Sequence, residues 1–281
     1  MCGIFGYISS DTNNVDKNTI KSIIKSSESR GKDSSGLVVL NDGYEIFKID
    51  QPIKELLSKK SITYDTNFII GHTRLITNGS SDNQPVFSDN VVVIHNGIIT
   101  NSTDLWKEIN QSPSLDIDTE IVVKYIESKI RIGQELDLIC KDILEKIKGT
   151  LSIAILLPEI GKFILLSNNG SLFFNNSESG TYFASERYFL EKEDLKDISQ
   201  LRNDYKIFDV SIEKVTLKED IHSRNNNLIP EFIFNSEDEK MLEYLRPDLM
   251  RCSKCILPST MPFIEFNSDG ICNYCENYKP K

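Results

Sequence analysis

The chain has 281 residues, of which 39% are hydrophobic and 26% are charged, and its formal net charge is −10. This composition is typical of a folded protein and excludes disorder as the main state. An acidic chain without a local basic patch repels polyphosphates, which argues against nucleic-acid and anionic-membrane binding. No apolar run reaches the roughly 20 residues of a membrane span, and the start lacks a leader signal, so we expect a cytoplasmic protein.

The hydrophobic pattern predicts groups of strands separated by helices. Residues 3–8 indicate an apolar strand, and isoleucines at helical spacing predict a helix over 17–27. An Asn-Asp-Gly turn at 41–43 is typical of a hairpin between strands 36–40 and 44–48. The other predicted strands are 68–72, 91–95, 151–157, 162–166, 172–174, 182–184, 206–210 and 213–217, and the other helices are 118–128 and 135–147. This order favours an α+β fold of antiparallel sheets covered by helices.

The end of the chain has a different character. Residues 221–250 contain a run of three asparagines and an acidic, weakly periodic stretch, so we interpret them as a linker or arm. They separate a domain over 2–220 from a small unit over 251–281. Four of the six cysteines lie in this small unit, whereas Cys140 lies on an apolar helical face where a buried thiol is common.

Cys2 follows the initiator methionine and is small enough to permit its removal. Removal leaves a thiol and a free α-amine on the same residue. An α-amine has an ordinary pKa near 7.7–8.0, so it is a usable base at neutral pH. A Cys-His pair is the alternative, but the chain has only three histidines.

Six motifs resemble, in the same order, those of class II glutamine amidotransferases, which are N-terminal-nucleophile (Ntn) hydrolases. They are MCGIFG at 1–6, RGKDSSG at 30–36, GHTRLITNG at 71–79, NQP at 83–85, HNGII at 95–99 and DTE at 118–120. The resemblance implies a four-layer αββα sandwich and hydrolysis of L-glutamine to L-glutamate and ammonia.

The resemblance also implies the catalytic residues. Cys2 would attack the side-chain amide carbon of glutamine, and its own α-amine would move the proton. The Asn96 side chain and the Gly97 backbone N–H would form the oxyanion hole. The alternative for Asn96-Gly97 is a simple hairpin turn.

Three further residues match positions that bind the amino-acid end of glutamine. Arg74 would grip the α-carboxylate with its planar guanidinium, Asp118 would meet the α-ammonium, and Thr77 would line the pocket. An ordinary ion pair is the alternative for Arg74. Asp118 opens a predicted helix, so an N-cap role is its alternative, and both roles can coexist.

The four C-terminal cysteines form two C-x2-C pairs separated by 16 residues. This spacing fits a structural zinc site of four thiolates, Cys252, Cys255, Cys272 and Cys275. A unit of 31 residues with almost no core would hardly fold without a metal. The alternatives are an iron–sulfur centre, a redox dithiol and unligated thiols.

Residues 252–275 also resemble the zinc knuckle of N-acetyl-sugar amidotransferases and related ATP-pyrophosphatase synthetases. The resemblance implies a small four-cysteine zinc ribbon and an ATP-pyrophosphatase-type synthetase domain or subunit as partner. That partner would receive ammonia and transfer it to an acceptor such as an amino sugar.

We therefore predict the glutaminase half of a glutamine-dependent amidotransferase. Two alternatives stay open. One is a different Ntn amidase, such as an acylase, although Arg74 and Asp118 favour a zwitterionic substrate. The other is a catalytically inactive adaptor with a zinc-dependent tail that binds a partner.

Overall fold

The computed structural model describes residues 2–9, 15–59, 62–76, 82–177, 180–221 and 249–279. The chain divides into two compact units, Met1–Ile229 and Pro230–Lys281. Most of the predicted linker over 221–250 lies outside the described residues, so its bounds stay a prediction. Among the described residues, no helix is both long and apolar enough to cross a membrane.

The first unit is built from strands and helices in alternating groups. Its strands are β1 Gly3–Ile8, β2 Ser34–Leu40, β3 Tyr44–Ile49, β4 Phe68–Arg74, β5 Val86–Phe87, β6 Val92–Ile99, β7 Gly149–Leu157, β8 Lys162–Ser167, β9 Phe173–Ser177, β10 Gly180–Ala184, β11 Ser199–Gln200, β12 Asp204–Asp209 and β13 Val215–Ile221. Its helices are α1 Lys17–Ser27, α2 Ile53–Leu57, α3 Ser102–Glu108, α4 Thr119–Arg131, α5 Leu136–Lys146 and α6 Arg187–Glu191.

The strands form two sheets. Sheet A has the order β11-β9-β10-β1-β4-β2-β3-β13, and sheet B has the order β12-β8-β7-β6-β5. The antiparallel prediction holds for the described strand pairs except β13, which runs parallel to β3. A parallel neighbour comes from a distant part of the chain, so local hairpin signals do not reveal it.

Three apolar clusters separate four layers. One cluster lies between the sheets and includes Ile4, Ile70 and Ile94. A second joins the outer face of sheet A to α1, and a third joins the outer face of sheet B to α3, α4 and α5. These three interfaces give the predicted αββα sandwich.

The predicted elements are recovered with shifted ends, and short elements were missed. The strand predicted over 91–95 runs on to Ile99, because Asn96 and Gly97 continue the pairing with β7. A hairpin turn at Asn96-Gly97 is therefore wrong. The short helices α2, α3 and α6 were not predicted, since five to seven residues carry too little periodicity.

One row of paired residues crosses sheet A at the end where β1 begins. It consists of Gly3, Thr73, Ser35, Ile49 and Ile221. Four strand spacings separate the first and last members, which is about 19 Å. The last residue of β13 therefore lies at the same end of the sheet as the start of β1.

In the second unit, the described residues 249–279 contain two isolated β-bridges and the short helix α7 Asn273–Glu276. The bridges join Arg251 to Pro258 and Phe266 to Cys272. Each bridge brackets a turn next to one of the cysteine pairs.

Candidate active site

Cys2 lies at the entry to β1, beside the end of β4. Gly3 pairs with Thr73, so extending the register places Cys2 opposite Arg74. The Cys2 sulfur lies 3.6 Å from the Leu75 carbonyl oxygen, to which it donates. Burial raises the pKa of the Cys2 thiol, although the Leu75 backbone and the charge of Arg74 act in the opposite direction. The thiol therefore keeps its proton at neutral pH, and its activation needs a base.

Two of the three histidines, His72 and His95, lie within the described residues. Burial, with the nearby charges of Arg74 and His95, holds the pKa of His72 well below its usual range. Neither ring nitrogen of His72 has a hydrogen-bond partner within the described residues. The His95 ring lies 3.3 Å from the Thr119 hydroxyl. The α-amine of Cys2 stays the predicted base.

Arg74 is the last residue of β4 and is 3% exposed. Its carbonyl oxygen accepts from the Asp33 N–H at 2.9 Å, and the Asp33 carboxylate accepts from the Ile76 N–H at 2.8 Å. A Cβ on Gly31 would lie 2.3 Å from the Arg74 carbonyl carbon, so a larger residue does not fit there. The motif at 30–36 thus fixes the backbone from the Arg74 carbonyl group to Ile76.

Asn96 lies on β6 with its side chain toward sheet A. It shares the register of Val92 and Ile94, whose side chains belong to the cluster between the sheets. Asn96 is 4% exposed, and its side chain forms no hydrogen bond within the described part of the chain. Because this amide has no partner there, it can donate to a ligand. Phe68 and Ile70 of β4 belong to the same cluster between the sheets, so strand alternation directs the Arg74 side chain into that space as well.

The Gly97 N–H lies on the edge of β6 that faces away from β7. His95 donates its N–H to the Gln84 side chain at 2.6 Å, and Ile99 donates its N–H to the Asp118 carboxylate at 2.9 Å. Backbone groups two residues apart point to the same side of a strand. The Gly97 N–H therefore lies between two N–H groups that point away from β7.

Gly97 also needs to be glycine. Its φ is +154°, and a Cβ there would lie 1.8 Å from the Thr150 carbonyl oxygen of β7. Because the obstructing atom belongs to the backbone, a side chain could be accommodated only by moving a strand. The close approach of β7 holds the Gly97 peptide in place.

Asp118 stands at the start of α4, but its side chain forms no capping hydrogen bond. Its carboxylate instead accepts from the Ile99 N–H, and its other oxygen lies 3.7 Å from Nδ1 of His95. The predicted N-cap alternative therefore does not describe this side chain. These contacts hold the carboxylate beside β6, two residues beyond Gly97.

Asp82 connects the Arg74 side of the site to the Asp118 side. The Arg74 guanidinium donates to the Asp82 carbonyl oxygen, and the Asp82 carboxylate accepts from the Asp116 N–H. Asp116 lies two residues before Asp118. Asp82 thereby links Arg74 at the end of β4 to the segment that leads into Asp118 at the start of α4.

Comparisons with known proteins show what this domain is similar to. The sequence profile of the family described as "Glutamine amidotransferase domain" matches residues 72–192. The glutamine–fructose-6-phosphate aminotransferase (isomerizing) of Helicobacter pylori is 29% identical over 197 residues, which cover 66% of this chain and 32% of that protein. Its counterpart in Oceanobacillus iheyensis is 30% identical over 179 residues, which cover 61% and 29%.

A solved structure supports the fold. Glutamine phosphoribosylpyrophosphate amidotransferase from B. subtilis, complexed with ADP and GMP, superposes with a TM-score of 0.58 at 21% identity. The match covers 76% of this chain and 50% of that chain. The chain carries a class II glutamine amidotransferase domain. It spans about a third of the length of the curated relatives it matches.

Thr77 and Gln84 differ in how the structure bears on the sequence predictions. Thr77 lies outside the described residues, so its predicted role stays a prediction. Gln84 had no predicted role, yet its amide accepts from the His95 N–H and donates to the His95 carbonyl oxygen at 3.0 Å. The Gln84 side chain thus makes the two backbone hydrogen bonds that a neighbouring strand would make to His95, the residue before Asn96 on β6. The only sequence signal for it was its place in the motif at 83–85.

The second unit gathers its four cysteines into one cluster. The sulfur atoms of Cys252, Cys255, Cys272 and Cys275 all lie within 4.8 Å of one another. The Cys252–Cys275 sulfur distance is 3.9 Å, and the Cys255–Cys272 distance is 3.5 Å. Zn–S bonds of about 2.3 Å in a tetrahedron place sulfur atoms about 3.8 Å apart. The cluster therefore fits a tetrahedral metal ion.

Backbone N–H groups surround the Cys252 sulfur. It accepts from the N–H groups of Lys254, Cys255 and Cys272 at 3.3–3.5 Å. Burial acts to raise the pKa of Cys252, but these donors outweigh it and lower the pKa to about 6. Gly270, with φ +71°, closes the predicted tight turn before the second pair by donating to the Asn267 carbonyl oxygen.

Proposed function

We propose that this chain is the glutaminase half of a glutamine-dependent amidotransferase. It hydrolyses L-glutamine to L-glutamate and ammonia through a thioester on Cys2. The observation that supports the proposal is that β1 and β4 of sheet A face β6 of sheet B across one apolar cluster. Cys2 precedes β1 and Arg74 ends β4, while Asn96 and Gly97 lie on β6. We infer that a nucleophile, two oxyanion donors and a carboxylate clamp meet between these strands.

The reaction begins when the Cys2 sulfur attacks the side-chain amide carbon of glutamine. The thiol proton passes to the α-amine of Cys2, since the raised pKa of the thiol disfavours a preformed thiolate. The resulting oxyanion accepts hydrogen bonds from the Asn96 amide and the Gly97 N–H. The carbon–nitrogen bond then breaks, and the α-ammonium returns its proton to the departing ammonia.

A water molecule completes the cycle. It attacks the thioester carbon while the α-amine takes one of its protons, and the same two donors hold the second oxyanion. The carbon–sulfur bond breaks, and the proton returns to the Cys2 sulfur. Glutamate is released, and the α-amine and thiol are restored.

Substrate recognition uses the two charged ends of the amino acid. The Arg74 guanidinium has five N–H donors, so it binds the α-carboxylate while it also contacts Asp82. The Asp118 carboxylate, which also accepts from the Ile99 N–H, binds the α-ammonium. Thr77 lines the pocket between them.

The second unit holds a structural zinc ion on Cys252, Cys255, Cys272 and Cys275. Zinc bound there would supply the cross-links that a unit with so small a core lacks. We further propose that an ATP-pyrophosphatase-type synthetase, as a domain or a separate subunit, takes up the ammonia in the cytoplasm. An amino sugar is the acceptor that the knuckle's resemblance favours.

Glutamine hydrolysis by two cysteine variants tests the proposal. Cys2→Ala abolishes glutamate release, whereas Cys140→Ala leaves it unchanged because the Cys140 thiol is buried on the sheet B side of α5. Unchanged activity in Cys2→Ala would refute the mechanism. An inactive wild type whose zinc-dependent tail still binds a partner would favour the adaptor alternative. Hydrolysis of N-acyl substrates without competition by glutamine would favour an acylase.

A further inference from the structure

The backbone next to Cys2 is clamped by a residue that follows β10. The β1–β10 ladder reaches the Phe5–Ala184 pair, and Ser185 comes next. The Ser185 hydroxyl accepts from the Ile4 N–H at 2.7 Å, and the Ser185 N–H donates to the Ile4 carbonyl oxygen at 2.8 Å. Ser185 is 1% exposed, so water does not compete for these bonds.

A second contact holds Cys2 itself. The Arg30 Nε donates to the Cys2 carbonyl oxygen at 2.7 Å, and Nη1 of the same guanidinium forms an ion pair with Glu186. The Arg30 side chain is 8% exposed and that of Glu186 is 44% exposed. Ser185 and Glu186 are adjacent, so one short segment reaches both Ile4 and, through Arg30, Cys2.

Stability alone does not account for this arrangement. A buried guanidinium loses its hydration, and Nη2 of Arg30 is buried without a hydrogen-bond partner within the described residues. Burying such a donor without a partner destabilises the folded state. An ion pair to a half-exposed carboxylate recovers only part of that cost. What the arrangement does provide is a fixed position for the Cys2 carbonyl group.

Position matters here because the proposed mechanism makes Cys2 the N-terminal residue, and a terminal residue frays unless it is tied down. An error of about 1 Å in the place of a reacting group costs about 100-fold in rate. We propose that Ser185, through Ile4, and Glu186, through Arg30, are positioning residues that hold Cys2 for attack. The inference rests on the proposed glutaminase function and adds residues to which no role has been assigned.

Glu186→Gln tests the proposal, with Glu191→Gln as its matched control. Glu191 lies on the same short helix region and pairs with Arg187 at 2.7 Å, with both side chains about half exposed. Steady-state glutaminase kinetics and the rate of Cys2 labelling by 6-diazo-5-oxonorleucine are measured for both, together with thermal unfolding. Arg30→Lys provides a second variant, since lysine keeps the charge but cannot span both partners.

We expect Glu186→Gln to lower kcat about tenfold and the maximal labelling rate in parallel, with KM for glutamine within about twofold. Arg30→Lys should lower both rates further, and Glu191→Gln should match wild type. A lowered unfolding temperature with unchanged kcat and labelling would mean a purely structural role and overturn the inference. If Glu186→Gln does not fold, Arg30→Lys decides by the same readouts. A wild type without hydrolysis or label would instead refute the proposed function.

Discussion

Replacing Gly97 with alanine tests the oxyanion hole at the point where the structure is least tolerant. The new Cβ would lie 1.8 Å from the Thr150 carbonyl oxygen, and the residue would have to adopt φ +154°. No side-chain rotation removes this overlap, so β6 must move away from β7 and carry the Gly97 N–H with it. Loss of one oxyanion donor costs about 10²–10³ in kcat. The strained backbone should also lower the free energy of unfolding by about 1–3 kcal/mol.

The assay is steady-state glutamate release, with chemical denaturation run in parallel. Gly133→Ala is the matched control, because Gly133 has φ +76° but its Cβ would meet no atom within 4 Å. It should lose a similar amount of stability from backbone strain without losing rate. If Gly97→Ala retained wild-type kcat while folded, the Gly97 N–H would not be an oxyanion donor. A loss of kcat in Gly133→Ala would show that strain alone explains the effect.

Three further changes follow from the site. Arg74→Lys should raise KM for glutamine about 10- to 100-fold, because the lysine ammonium is a point charge whereas the arginine guanidinium binds a carboxylate through two hydrogen bonds. Competition by D-glutamine serves as the control for the placement of the carboxylate. The unfolded state binds a proton on His72 that the folded state rejects, so the free energy of unfolding should fall as pH drops below about 6.5, and His72→Gln should reduce that slope if it folds. A strong chelator should expose the four cysteines of 249–279 to a thiol reagent while hydrolysis of free glutamine continues, and equal thiol reactivity with and without the chelator would argue against a bound metal.

Local patterns predicted most of the longer strands and helices, whereas the four layers were implied by the resemblance. Buried strands such as 68–72 and the amphipathic helix over 17–27 are recognisable because their side chains meet one face of a core. Elements held by distant partners were not predictable in this way. The parallel pairing of β13 with β3 joins segments about 170 residues apart in the sequence, and no local signal records it.

The candidate sites show the same difference between features with a local sequence signal and features without one. The cysteine spacing predicted a metal cluster, and the four sulfur atoms do lie together. The oxyanion and substrate roles of Asn96, Arg74 and Asp118 came from the resemblance, and their burial and contacts are compatible with those roles. By contrast, the Asn-Gly dipeptide suggested a turn, because its ordinary preference hides a glycine required by a close backbone approach.

The residues that hold the catalytic segments in place, such as Gln84 and Glu186, were the hardest to predict from the sequence. Gln84 completes the edge of β6 with a side-chain amide, and Glu186 reaches Cys2 only through Arg30. Both contacts depend on side-chain geometry between segments that are close in the folded structure but far apart in the sequence. A polar residue after a strand is too common to predict such a contact.

One mass measurement tests directly whether Cys2 is an N-terminal nucleophile. The mass of the intact protein is measured before and after treatment with 6-diazo-5-oxonorleucine, and the modified peptide is sequenced. We expect a mass without Met1 and a single adduct on Cys2. A retained Met1 with no adduct, or an adduct on a different residue, would contradict this expectation.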